Sequence, residues 1–316
     1  VESTDFSKSI KSLKKDDHAH GHSANRNALL VSFLMITGFM VVEFIGGLFS
    51  HSLALLSDAG HMLSDSISLG LSFTALLVGA KVAANNKKTF GYRRFEILSA
   101  LFNGVLLLAI SSWIVVEAVL RFSRPVEVAS TEMLIIAVIG LFVNLAVAGI
   151  LMKGEAKENL NVHSAFIHVI GDLLGSVGAI AAAVVIALTG WQLADPIASI
   201  IVSLIILKSG WQVARESVNI LMESKPDNLN LDEIRLAVSG IDGVASLHDL
   251  HVWTITSGFL SLSCHLKVTE GADRDEVLRN VERILGNYNL EHSTIQIEGI
   301  NYADCHSDCA HHIKNN

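Results

Sequence analysis

His61 and Asp65 stand four residues apart inside a long apolar stretch, and His168 and Asp172 repeat the pair later in the chain. Their surroundings, SDAGHMLSD from Ser57 and SAFIHVIGD from Ser164, share the pattern Ser-x-x-x-His-x-x-x-Asp. On a helix, residues at i and i+4 project from one face with Cβ atoms about 5–6 Å apart. Two imidazoles and two carboxylates brought together form a donor set that suits tetrahedral zinc. A charged side chain at the centre of a bilayer helix costs about 2.5–3.5 kcal/mol on insertion scales. A divalent cation neutralised by two carboxylates offsets that cost. Without a counter-charge, two carboxylates sharing a low-dielectric site do not both stay ionised. Metal and protons therefore compete for the same atoms, which is the chemistry of an exchanger. Asp58 shares the face of His61 and is expected to orient or cap the site rather than to ligate.

These four residues need two helices held side by side in a membrane. The chain has 316 residues, 51% of them hydrophobic, which is too apolar for an ordinary soluble enzyme. A helix crossing about 30 Å of hydrocarbon needs about 20 apolar residues. Six stretches qualify, at 28–49, 53–80, 97–122, 132–152, 160–189 and 193–213. Pro125 closes the third, and Trp191 sits at interfacial depth between the fifth and sixth. Each His/Asp motif lies in the second helix of a set of three, the pattern of an inverted three-plus-three repeat with a site near the midplane. Glu43, Asn103, Glu117 and Asn144 read as interhelical hydrogen-bonding residues.

Lysine and arginine set the orientation. The N-terminal segment carries Lys8, Lys11, Lys14, Lys15 and Arg26. The loop after the second span carries Lys81, Lys87, Lys88, Arg93 and Arg94, and the loop after the fourth carries Lys153 and Lys157. The other side has only Arg121 and Arg124. Both termini are therefore expected in the cytoplasm. The first 26 residues contain no apolar core of a signal peptide. The net charge of −8 argues against nucleic acid as a partner. Membrane lipid and divalent metal ions are the partners expected instead.

The expected organisation is a polar N-terminus (1–26), a six-helix transmembrane domain (27–222), a cytoplasmic domain (223–303) and a Cys/His-rich tail (304–316). In the cytoplasmic domain, LDEIRLAVSGI and RDEVLRNVERILGNY read as amphipathic helices. VASLHDLHVWTIT and FLSLSCHLKVT read as strands around a Ser257-Gly258 turn, and STIQIEG as a last strand. That order suggests a small α+β ferredoxin-like fold. His248 and His265 sit on the first two strands, and His292 and Glu298 flank the last. Strict alternation would point His251 away from His248, and Cys264 away from His265 into the core. Three cysteines make no disulfide framework. The tail CHSDCAHH, with Cys305 and Cys309, and the N-terminal HAHGH, with His18, His20 and His22, are dense in zinc ligands.

The chain closely resembles the cation diffusion facilitator family, of the bacterial zinc–cadmium–cobalt resistance type, over about residues 25–300. The resemblance is carried by HSLALLSDAGHMLSDS (51–66), KTFGYRRFEILSA (88–100), HVIGDLLGSVGA (168–179), DPIASIIVS (195–203), HDLHVWTITSG (248–258) and TIQIE (294–298). It implies a homodimeric antiporter that exports divalent metal from the cytoplasm in exchange for protons. It implies transport ligands at His61, Asp65, His168 and Asp172. Regulatory metal near the dimer interface is implied at His248, His265 and Glu298. Histidine at position 61, where some members have aspartate, is associated in the family with zinc over cadmium. Relatives with a C-terminal cysteine pair complete a zinc site with an N-terminal His motif of the partner subunit, which here would join Cys305 and Cys309 to His18, His20 and His22. Some members bind metal in the loop between the second and third spans; here AKVAANNKKTFGYRR has no histidine or acid, so no site is expected there.

Zn2+ is thus expected as cargo and as regulator, with protons as counter-ion, in a bacterial cytoplasmic membrane. No enzymatic activity is expected: an intramembrane zinc protease would need H-E-x-x-H, and no such string occurs. A membrane-bound metal sensor or buffer without transport is the alternative, and it leaves the paired motifs of the second and fifth spans unexplained.

Overall fold

The computed structural model describes residues 30–78, 88–155, 161–290 and 292–302, with side chains left aside at 68–69, 71–78, 151–155 and 161–172. Six long helices come first: α1 (Leu30–Ser50), α2 (Leu53–Val78), α3 (Arg94–Ser123), α4 (Ser130–Glu155), α5 (Asn161–Thr189) and α6 (Ala194–Leu221). Then follow α7 (Leu231–Ser239), β1 (Val244–Thr256), β2 (Phe259–Val268), α8 (Arg274–Gly286) and β3 (His292–Gly299). All six expected spans are helices. α3 starts earlier than the apolar pattern and α6 runs on through a polar stretch to Leu221, because backbone hydrogen bonding continues past the hydrocarbon-length run. α1, α3, α4 and α6 are long and apolar enough to cross a membrane. α2 and α5, at 26 and 29 residues, have spanning length and carry the polar motifs.

The chain forms two compact units. Among the described residues, one lies within 30–91 and 100–214, the other within 92–99 and 215–302. In the first, large apolar side chains face outward, as Phe49, Phe142 and Leu188 do, the arrangement a lipid surface requires. The inside is packed with small residues. Ala179, Ala182 and Ala183 of α5 are buried against Leu55 of α2 and Met133 of α4. Small side chains let helices approach closely where apolar surroundings supply no hydrophobic drive. α3 and α6 cross at Gly104 and Gly210: a Cβ at Gly104 would meet the Gly210 carbonyl oxygen at 3.0 Å.

α2 is the polar hub of this unit. Ser66 exchanges a hydrogen bond with Thr37 of α1 at 2.6 Å, and Ser57 with Ser203 of α6 at 3.1 Å. Ser64 accepts from Asn103 of α3 at 2.6 Å, and Asp58 accepts from Ser176 of α5 at 3.1 Å. A polar group buried without a partner is costly, so these pairs fix which helix faces which side of α2.

In the second unit, each helix starts on a side-chain cap. Asn230 accepts the Asp232 N–H at 3.1 Å to open α7. Asp273 accepts from Asp275 and Glu276 at 3.0 and 3.2 Å to open α8. β1 and β2 pair antiparallel around Gly258, whose φ of +71° suits glycine at the turn. β2 and β3 pair in parallel across α8, giving a sheet of order β1-β2-β3. Val238 of α7 and Val281 of α8 pack on one face of this sheet against Val252, Leu262 and Leu266. Two helices on one face of one sheet are the ferredoxin-like layering the sequence implies, with three strands among the described residues. Residues 92–99 belong to this unit: Arg94 bonds Glu223 at 2.9 Å, and Glu96 accepts from the hydroxyls of Thr256 and Ser257.

Candidate metal centres

The first candidate centre lies along α2. Asp65 is buried and His61 partly buried, one helical turn apart. Asp58 is turned toward α5: it accepts from Ser176, and a Cβ on Gly175 would come within 2.4 Å of its Oδ1. Only glycine at 175 lets the carboxylate approach so closely. α2 and α5 run antiparallel here, since Leu55 packs with Ala179–Ile186 while Asp58, farther along α2, meets Gly175 and Ser176, earlier on α5. His168 and Asp172 lie on α5, and their side chains fall outside the described residues.

The interhelical polar residues divide. Asn103 and Asn144 bond across helices, to Ser64 and to Ser176. Glu117 instead pairs within its own helix, with Arg121 at 3.5 Å. Glu43 is fully buried within α1, near Asp58.

The second candidate centre is on the sheet face opposite the helices. Among the described residues, His248, His265 and Glu298 form a cluster able to hold a metal ion, with ligand atoms within 4.8 Å of one another. His248 of β1 is directly paired with His265 of β2, so their side chains share a face. Their rings meet edge to face at 5.3 Å. Glu298 enters from β3: Oε1 lies 3.2 Å from His265 Nδ1, and Oε2 lies 3.4 Å from His248 Nε2. Gln296 donates to Oε1 at 2.9 Å. Glu298 is buried, and its Oε2 accepts no hydrogen bond. Two imidazoles aimed at a buried carboxylate with an unused acceptor fit a divalent cation of the zinc type.

Two sequence expectations change at this site. His292 is not in the cluster; it begins β3, six residues before Glu298, and stacks obliquely on Phe259 at 5.6 Å. His251 does not point away from His248. The β1–β2 register shifts between His248 and His251, which pairs with Ser263 and so shares the face of His265. The cause is a bulge, in which one strand spends an extra residue and the later side chains change face. Asp249, inside the bulge, has φ +50°, a left-handed conformation costing about 1–2 kcal/mol for a non-glycine residue. It is the residue that sequence reasoning missed, although its position between two histidines in HDLH was a visible sign. Cys264 is core, as expected, and burial, with the nearby Asp249 charge, pushes its thiol up to about 11. His18, His20, His22, Cys305 and Cys309 fall outside the described residues.

Comparison with known proteins places this geometry in context. Residues 29–222 match the cation efflux transmembrane domain, and residues 226–300 match the cytoplasmic domain of cation efflux proteins. The chain is 51% identical over 285 residues to the cadmium, cobalt and zinc/H(+)-K(+) antiporter of Bacillus subtilis, covering 89% of this chain and 91% of that protein. It is 40% identical over 300 residues to the metal cation efflux system protein CzcD of Cupriavidus metallidurans, covering 94% and 93%. It is 40% identical over 302 residues to the zinc transporter ZitB of Escherichia coli, covering 92% and 95%. The metal-bound C-terminal domain of the CzcD transporter is matched at 35% identity with a TM-score of 0.22, covering 22% of this chain and 99% of that domain. Matched in both its helical and its α/β parts, and alignable with these relatives over about nine-tenths of its length, the chain belongs to the family of cation efflux proteins.

Proposed function

We propose that the protein exports zinc from the cytoplasm in exchange for protons, through a transport site formed by His61, Asp65, His168 and Asp172. The observation that carries this reading is the antiparallel contact of Asp58 with Ser176. One turn along α2 from Asp58 comes His61, and one turn back along α5 from Ser176 comes Asp172. A further turn on each helix comes Asp65, then His168. The two motifs thus stand level with each other along the α2–α5 pair. The relatives named for cadmium, cobalt and zinc antiport, and for zinc transport, support the same cargo class.

In this mechanism cytoplasmic zinc exchanges with protons on two carboxylates and two imidazoles. Rocking of the helical bundle then opens the site to the other side, where protons displace the metal. The protein works as a homodimer in a bacterial cytoplasmic membrane, with both termini in the cytoplasm and the domain limits at 27–222 and 223–303. His248, His265 and Glu298 would hold a regulatory zinc, which would tighten the dimer and favour transport. His18, His20 and His22 with Cys305 and Cys309 supply a further cytoplasmic site.

The test is zinc flux into proteoliposomes under an imposed pH gradient, read with an internal fluorescent reporter. Flux should follow the gradient and reverse with it. Asp65→Ala and Asp172→Ala should each reduce it to the leak of empty vesicles, with unchanged elution and circular dichroism. Retained flux in either variant rejects these ligands. Binding without flux under any gradient would make the protein a sensor or buffer.

A further inference from the structure

We propose that Asp249 is the positioning residue of the cytoplasmic metal site, holding the Nε2 edge of His265 so that Nδ1 faces the metal. The inference rests on the proposed site at His248, His265 and Glu298. The His265 ring stands between two carboxylates. Nδ1 is 3.2 Å from Glu298 Oε1, and Nε2 is 3.6 Å from Asp249 Oδ2. A neutral imidazole carries one N–H, and a ligating histidine gives that N–H to an outer carboxylate while its other nitrogen binds the ion. With Glu298 on the Nδ1 side as a ligand, Asp249 is the outer carboxylate.

Asp249 is itself held in place. Its other oxygen, Oδ1, lies 2.9 Å from His251 Nε2. Glu298, His265, Asp249 and His251 therefore form an alternating row of carboxylate and imidazole. The bulge makes the row possible. With regular alternation along β1, Asp249 and His248 would point to opposite faces. The left-handed φ of Asp249 and the register shift to His251 bring the carboxylate beside His265 instead. Aspartate and asparagine tolerate that conformation better than most residues.

The test uses the full-length protein in detergent, with the transport site silenced by Asp65→Ala and Asp172→Ala and the tail site by Cys305→Ser and Cys309→Ser. Zinc affinity is measured by chelator competition, and coordination by the visible spectrum of the cobalt(II)-substituted protein. Asp249→Ala should weaken zinc about 10–100-fold while the cobalt spectrum keeps its shape. Asp249→Asn, which keeps the backbone preference and one acceptor oxygen but no charge, should recover part of that loss. Unchanged affinity in both variants overturns the proposal. A changed cobalt spectrum also overturns it, by making Asp249 a ligand. His265→Ala and Glu298→Gln separate the two levels: if they leave zinc binding intact in the same background, the metal site itself is wrongly assigned.

Discussion

Asp195, in the first turn of α6, accepts the backbone N–H of Leu53 at 2.9 Å and so caps a helix 142 residues away in sequence. The same carboxylate takes the Ala54 N–H at 3.1 Å and the Ser52 hydroxyl at 2.6 Å. Arg121 lies 3.6 Å away and also donates to the His51 carbonyl. The first N–H groups of a helix have no partner within it; for α2, a carboxylate from α6 takes the first two and the Ser52 hydroxyl takes that of Leu55. The α1–α2 turn, with His51 at φ +57°, is thereby fixed to α3 and α6.

Asp195→Ala takes from the buried start of α2 the acceptor of its first N–H groups, and from Arg121 one of its two carboxylate partners. Breaking a buried pair costs about 3–5 kcal/mol. The melting temperature in detergent should fall clearly, with Asp195→Asn falling less because its amide oxygen still accepts. Equal melting of Asp195→Ala and the parent would contradict this role.

Gly175→Ala puts a methyl group 2.4 Å from Asp58 Oδ1. Either Asp58 turns or α2 and α5 separate. Overpacking of this kind costs about 1–3 kcal/mol, and here it also disturbs the register of the transport motifs. Zinc flux should drop together with thermal stability. Parent-like flux would mean that the α2–α5 register does not matter to transport.

Zinc binding at His248, His265 and Glu298 should stabilise the folded protein. At zinc a hundredfold above the dissociation constant, mass action contributes about 2.7 kcal/mol. With Asp65→Ala and Asp172→Ala silencing the transport site, and Cys305→Ser and Cys309→Ser the tail site, zinc should raise the melting temperature and a chelator should reverse the rise. Glu298→Gln should shrink the rise at the same zinc level. An undiminished rise in Glu298→Gln would remove this carboxylate from the ligand set.

Cys264 should be inert in the folded state. With its thiol pushed from an ordinary value near 9 to about 11, only about a thousandth is thiolate at pH 8. In a variant with Cys305→Ser and Cys309→Ser, an alkylating reagent at pH 8 should modify Cys264 only after unfolding. The folded state holds this proton more tightly than the unfolded one. Its contribution to stability is therefore complete below pH 9 and lost as pH rises toward 11. Rapid labelling of the native protein at pH 8 would contradict the buried thiol.

The sequence by itself determined what is local. Apolar runs of spanning length marked all six long helices, and the four-residue His/Asp spacing put each pair on one helical face. Alternating strands, their Gly258 turn and two amphipathic helices outlined the second unit. These signals are legible because helix and strand periods are properties of neighbouring residues. Tertiary structure decided what depends on distant partners. It turned Asp58 onto Ser176 and set Asp195 at the head of α2. It gathered His248, His265 and Glu298 from three strands and left His292 at the far end of β3. The bulge at Asp249 shows the reason most directly. One extra residue in β1 reverses the face of the residues that follow it, and only pairing with β2 reveals that the residue is extra.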